Sequence, residues 1–192
     1  MNYEKIVRLK DGRSCLLRAL TGDDAAETCR VFCNTHASTD YMLTYAGEGV
    51  NDTKQERAFL EKQLLADDAV EIGAFVDGVL TGTAGFDPIG RKIKNHHRAD
   101  FGIGIEKPYW GLGIGQALTE ASVQCAKDAG FSQLELEVVA ENLPALSLYR
   151  KLGFTEYGRN PRGFLTKEGV YQELVLMRLE LDNTPPIHAQ ND

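Results

Sequence analysis

The sequence predicts an α+β fold, and three observations predict it. Asp11-Gly12 and Asp77-Gly78 each join two strand-like stretches with the dipeptide that a tight hairpin favours. From about His97 the pattern becomes a single strand, helix, strand, helix passage that ends near Leu152. Hairpins feeding one such passage differ from a sheet that is parallel from its first strand. With 192 residues, 43% of them hydrophobic, the chain suffices for one well-buried core and is short for two domains.

Each element follows from local chemistry. Ile6 to Ala19 carries the first hairpin, as VRLK and CLLRAL. Thr21, backed by Asp23, Asp24 and Glu27, reads as the N-cap and acidic first turn of a helix running to about His36. A second helix starts at Asp52 or Thr53 and runs to Ala66; the intervening HASTDYMLTYAGEGV has no clean period and reads as a pocket-shaping loop. Val70, Ile72, Ala74 and Val76 alternate, and Asp77-Gly78 turns that strand into VLTGTAGF. The polar loop PIGRKIKN precedes a strand from about His97 to Ile105. Ile114, Leu118, Ala121, Cys125 and Ala129 recur at helical spacing, and Gly130 supplies the C-cap. Leu134, Leu136 and Val138 alternate with Glu135 and Glu137 in another strand. Asn142 caps a short helix, Leu143 to Leu152, whose first turn tolerates Pro144. Phe154 to Gly158 leads into a loop through Arg162 and Gly169, then a last strand from about Tyr171 to Leu181. The polar tail, residues 182 to 192, reads as disordered and leaves 1 to 181 as the domain.

Composition excludes several classes. The 21 basic and 28 acidic residues give a net charge of −7, which disfavours nucleic acid or an anionic membrane as partner. The longest uncharged run, Pro108 to Thr119, is glycine-rich and too short for a bilayer, and the opening MNYEKIVRLK has no apolar signal region. Four cysteines without a C-x-x-C pair suit a reduced cytoplasm. Cys29, Cys33 and His36 share a helix face, but no fourth ligand accompanies them, so no metal is expected.

The chemistry concentrates in Trp110-Gly111-Leu112-Gly113-Ile114-Gly115, between a strand and a helix. Alternate glycines let a ligand approach the backbone, and the first N–H groups of the helix lack intrahelical acceptors. Such a turn favours a phosphate or pyrophosphate. Gln116 stands where a dinucleotide fingerprint needs glycine, and no Gly-Lys-Ser/Thr follows for a nucleoside triphosphate.

At this turn the sequence resembles the GNAT superfamily of acyl-CoA-dependent N-acyltransferases. The Arg/Gln-x-x-Gly-x-Gly/Ala signature is matched by Trp110 to Gly115, with Trp110 in place of the usual Arg or Gln. A second signature, Asn then a helix with Tyr closing on Gly-Phe, is matched by Asn142, Tyr149, Gly153 and Phe154. The resemblance covers residues 4 to 181 and implies a mixed, mostly antiparallel twisted sheet with splayed central strands flanked by helices. The ending GFLTKEGVYQELVLMRLEL is similar to the branch acting on free amino acids or protein N-termini.

The resemblance also implies roles. Acetyl-CoA, as co-substrate, would lie along Ile103, Gly104 and Ile105; its pyrophosphate would meet Trp110, Gly111, Leu112, Gly113, Ile114, Gly115 and Gln116. Asn142 would touch the cofactor arm and Tyr149 would face the thioester sulfur. An amine would attack the acetyl carbonyl directly, with Asp100, Glu106 or Glu137 as the base. His96 and His97 read as strand-entry surface residues, and Arg91, Lys92 and Lys94 as a solvated loop. The acceptor is expected to be a small or terminal primary amine, shaped by loops at residues 37–51 and 160–169. The alternatives are an antibiotic or polyamine amine, and a noncatalytic acyl-CoA sensor. The reading allows a homodimer.

Overall fold

A computed structural model describes residues 1–48 and 52–181. Strands β1 (Glu4–Arg8), β2 (Ser14–Ala19), β3 (Val70–Val76), β4 (Val79–Pro88), β5 (Arg98–Ile105), β6 (Gln133–Val139), β7 (Thr155–Leu165) and β8 (Tyr171–Glu180) form one sheet, ordered β1-β2-β3-β4-β5-β6-β8-β7. Every pairing is antiparallel except β5 with β6. The helices are α1 (Ala25–Ala37), α2 (Thr53–Leu65), α3 (Ile114–Asp128) and α4 (Leu143–Lys151). Among the described residues no helix is long and apolar enough to cross a membrane.

Local signals set these elements. Gly12 and Gly78 take the positive φ that their turns demand, at 89° and 81°. The first helix begins later than its cap suggests: Gly22–Asp24 forms a 3-10 turn before α1. There the Asp24 carboxylate accepts from the Thr21 N–H at 2.8 Å and binds Arg18. Asp52 and Asn142 cap α2 and α4 through their side-chain oxygens.

The alternating apolar face of β3 and its neighbours packs against α3 in the larger core, which includes Ile72, Phe86, Leu118, Leu134 and Met177. α1 and α2 cover the opposite face over Leu20, Leu60 and Leu80. The sheet therefore carries a helical layer on each side.

One expectation fails. The loop expected through Arg162 is mostly strand, because β7 runs eleven residues to Leu165. Pro161 removes a donor, but β7 is a sheet edge and its register shifts between Asn160 and Phe164, where no ladder bond is needed. Gly163 presses against Leu174, which leaves no room for a Cβ. The tail beyond Leu181 and the end of the 37–51 loop lie outside the described residues.

Candidate active site

The parallel pairing of β5 with β6 stops after three rungs, Arg98–Gln133, Ala99–Leu134 and Asp100–Glu135. Beyond them β5 stays with β4 to Ile105 and β6 with β8 to Val139, so the two strands part. Arg98 grips the Glu135 carboxylate with two hydrogen bonds, and the Tyr157 hydroxyl donates to it at 3.2 Å. This clamps the vertex of the opening; the Arg98 guanidinium holds the Glu135 carboxyl below its ordinary range.

Hydrogen-bond alternation decides which main-chain groups face the opening. The Ile89 N–H donates to the Arg98 carbonyl at 3.0 Å and the Glu106 N–H to that of Thr81 at 2.9 Å. Even-numbered β5 residues thus face β4; the Phe101 N–H closes the last rung with β6, and beyond it the Phe101 C=O, both main-chain groups of Ile103 and the Ile105 N–H turn into the opening. Gly104, predicted together with its neighbours, directs its main chain to β4 instead. Its missing side chain leaves room for Thr35 on the other face of the sheet.

The glycine-rich turn caps the open end. Gly111 and Gly113 adopt φ of 77° and 97°, where a side chain is strained. Gly113 is the N-cap of α3, so the N–H groups of Ile114, Gly115 and Gln116 lack intrahelical acceptors. A Cβ on Gly115 would press on Ile105 and Leu148. The Leu112 carbonyl accepts from the Lys10 N–H at 3.1 Å, which docks the turn on the first hairpin. The side chain of Gln116 is tied to Glu120 and Lys151, leaving its amide for a ligand. The Trp110 indole N–H donates to the Ile105 carbonyl at 2.7 Å, so this residue braces the turn against β5 where Arg or Gln is usual.

Tyr149 and Asn142 line the cleft, a cavity of about 830 Å³. Tyr149 is 7% exposed and packs on Phe101 and Phe154. Burial pushes its pKa well above the ordinary phenol value, and its hydroxyl makes no hydrogen bond among the described residues. Asn142 spends its oxygen on the Ala145 N–H, at 3.3 Å, and keeps two amide donors.

The three predicted bases separate. Asp100 and the exposed Glu137 line the cleft. Glu106 does not: it is 6% exposed, and its Oε1 accepts from Arg30 at 2.5 Å and Asn34 at 2.6 Å. That carboxylate fastens α1 to the end of β5, because a buried charge is tolerated only when partnered. His96 and His97 lie apart from both cavities; the His96 ring contacts the Ile93 carbonyl.

A second cavity, about 640 Å³, lies on the α1 and α2 side of the sheet and shares Met42, Leu43, Asp87, Asp100, Gly102 and Ile103 with the cleft. Its wall holds Glu56, Glu71, Asp87 and Asp100. Burial raises the Glu71 carboxyl to about 7, aided by Glu56 and Asp87 and opposed by Thr83. Asp100 is raised mainly by burial and then by Glu137, Glu135 and Asp87. Glu71 was legible as the single charge in VEIGAFV, on the face opposite Ile72 and Ala74. His36, of the cysteine-histidine face, stacks on Phe32 and donates from Nδ1 to its carbonyl at 2.7 Å. Among the described residues no cluster of three or more His, Cys, Asp or Glu is arranged for a metal ion.

Residues 34–154 match the model of the acetyltransferase (GNAT) family, well over half of the chain. The chain belongs to that family. A GNAT-family acetyltransferase from Streptococcus pneumoniae superposes with a TM-score of 0.83 at 28% identity, covering 86% of this chain and 99% of that one. The fold is also that of yncA from Salmonella typhimurium, solved with its cofactor acetyl-CoA: TM-score 0.79, 20% identity, 88% and 95% covered. A mycothiol acetyltransferase of Arthrobacter sp. is 42% identical over 55 residues, 29% of this chain but 17% of that protein. The L-amino acid N-acetyltransferase AaaT of Escherichia coli is 27% identical over 108 residues, 56% of this chain and 65% of that protein. The chain thus spans less than two thirds of either relative's length.

Proposed function

We propose that this GNAT-family chain transfers the acetyl group of acetyl-CoA to a primary amine by direct attack. The parted β5 and β6 carry the reading: among the described residues they leave the Phe101 carbonyl and the N–H and C=O of Ile103 without a strand partner, beside the amide-rich start of α3. A thioester arm hydrogen-bonds along such an edge as a strand would, and the diphosphate takes the amides of Ile114 to Gln116. The acetyltransferase relatives, and the yncA fold with its acetyl-CoA, support the same donor.

Three tasks fall to the chain. A carboxylate takes one proton from the ammonium; Asp100, which lines both cavities, is the one we assign to it. The nitrogen lone pair then forms the N–C bond, and a β5 N–H steadies the carbonyl oxygen. The C–S bond breaks with its electron pair on sulfur, and the nitrogen's second proton passes to that thiolate, giving the amide and the free thiol of coenzyme A. Tyr149 stands ready as a donor to that sulfur. With its pKa raised by burial it stays protonated, so a hydrogen bond to the thiolate rather than full proton transfer is its contribution. Glu137 borders the cleft and adds to the negative potential around Asp100.

The test is thiol release from acetyl-CoA with amino acids, dipeptides, diamines and aminoglycosides, alongside calorimetry. Turnover with at least one amine is expected. Stoichiometric binding without turnover would instead favour a sensor, and no binding at all would defeat both readings.

A further inference from the structure

The second cavity has an electrostatic character that the cofactor cleft does not require. Glu56, Glu71, Asp87 and Asp100 all line it, and no Lys or Arg does. Among the described residues none of the four makes an ion pair; Asp87 and Asp100 are exposed at the mouth, whereas Glu56 and Glu71 are partly buried, and the partly buried carboxylates elsewhere, such as Asp24, Glu106, Glu135 and Glu173, are matched with arginine. Asp87 is held only by the neutral Gln63 amide, at 3.0 and 3.1 Å. Uncompensated carboxylates in a partly dry site are costly, and burial raises the Glu56 and Glu71 carboxyls above their ordinary range.

Two polar side chains of the wall are incompletely satisfied by the protein. The Thr35 hydroxyl, on a residue 3% exposed, has no hydrogen bond among the described residues. Nδ1 of His36 is committed to Phe32, which leaves Nε2 unprotonated in the neutral ring, and burial lowers the pKa of that ring. Between these groups Phe32, Phe59, Met42 and Leu43 supply apolar surface.

The register places the charges at two stations. Asp87 pairs with Asp100 across β4 and β5, beside the opening. Glu71 pairs with Gly85, which in turn pairs with Gly102, so Glu71 stands two strand spacings from β5, roughly 10 Å. A Cβ on Gly85 would strike the Glu71 carboxylate and the Val70 carbonyl, so this glycine makes room for that charge. Glu71 is too remote to take a proton from a nitrogen attacking at β5. It is well placed to hold a second one.

From this arrangement we infer that the acceptor is a linear dication without a carboxylate. One ammonium is anchored by Glu71 and Glu56, an apolar spacer lies along Phe32 and Phe59, and the other amine is delivered beside Asp100. This rests on the acetyltransferase reading and narrows it. An α-amino acid would bring its carboxylate into a wall that offers it no cation. The spacing suits roughly four to six methylenes between the nitrogens.

Full-length protein with acetyl-CoA is compared on 1,4-diaminobutane, 1,5-diaminopentane, butylamine and L-alanine by thiol release. The diamines are expected to exceed butylamine and alanine in kcat/KM by about tenfold or more, the worth of one charge-assisted hydrogen bond. Glu71→Gln and Glu56→Gln should each shrink the diamine-to-butylamine ratio, chiefly through KM. A preference for alanine, or an unchanged ratio in both variants, overturns the inference and leaves acetyl transfer standing. Release with none of the four amines and none of the wider panel overturns the acetyltransferase reading beneath it.

Discussion

Replacing Tyr149 with Phe isolates one atom of the site. The ring is 7% exposed and fixed by Phe101 and Phe154, with centroids 6.4 and 5.6 Å away, and Phe preserves that packing. The hydroxyl has no hydrogen bond among the described residues, so its removal strands no partner. Stability should change by less than about 1 kcal/mol. The departing thiolate, in contrast, loses a hydrogen bond to a charged group, about 1.5–3 kcal/mol. That lowers kcat by roughly 10- to 150-fold. Acetyl-CoA affinity should stay within about twofold, because the interaction strengthens only as charge reaches sulfur. Steady-state thiol release at saturating amine gives kcat, calorimetry the affinity, and thermal unfolding the control. A kcat equal to that of the unaltered protein refutes the role; a fall in affinity matching the fall in kcat refutes the transition-state argument.

Other expectations follow from the same geometry. Glu106→Ala leaves Arg30 and Asn34 without their shared acceptor and should cost about 2–4 kcal/mol, discounted because Arg30 is partly exposed; denaturant unfolding measures it, and a loss of activity without loss of stability would contradict the structural assignment. Trp110→Phe removes the indole donor to Ile105 and should weaken acetyl-CoA binding several-fold by loosening the turn, with unchanged affinity in calorimetry counting against the brace. Glu71→Gln should raise stability at pH 8 by about 1–3 kcal/mol and leave it nearly unchanged at pH 4. The sign follows from a folded-state carboxyl near 7 against an ordinary value of 4.5: the unfolded chain gives up its proton first, so native stability falls as pH climbs between them. Melting temperatures that shift by the same amount at both pH values would contradict it.

Much of the fold was legible because local rules and tertiary demands agree there. The hairpin glycines, the helix start at Asp52 or Thr53, the cap at Asn142 and the alternation of β3 all reappear, since each satisfies its own backbone whatever surrounds it. The stretch around Pro161 misleads because its residues carry turn chemistry, while the edge of the sheet supplies pairing that local propensity cannot report. Site residues divide the same way. Trp110 to Gln116 stands out through glycine spacing. Glu106 and Asp100 look alike in sequence and part in space, one clasped by Arg30 from α1, the other left beside an opening.

Hairpins, helices and the glycine turn are written locally, because φ preferences, caps and periodicity act within a few residues. Where β5 leaves β6, which carboxylates keep a counter-ion, and the meeting of Glu56, Glu71, Asp87 and Asp100 in one cavity emerge from the assembled fold. Those outcomes depend on residues far apart in the chain and on how much water their packing excludes, and neither quantity is written in any short stretch of sequence.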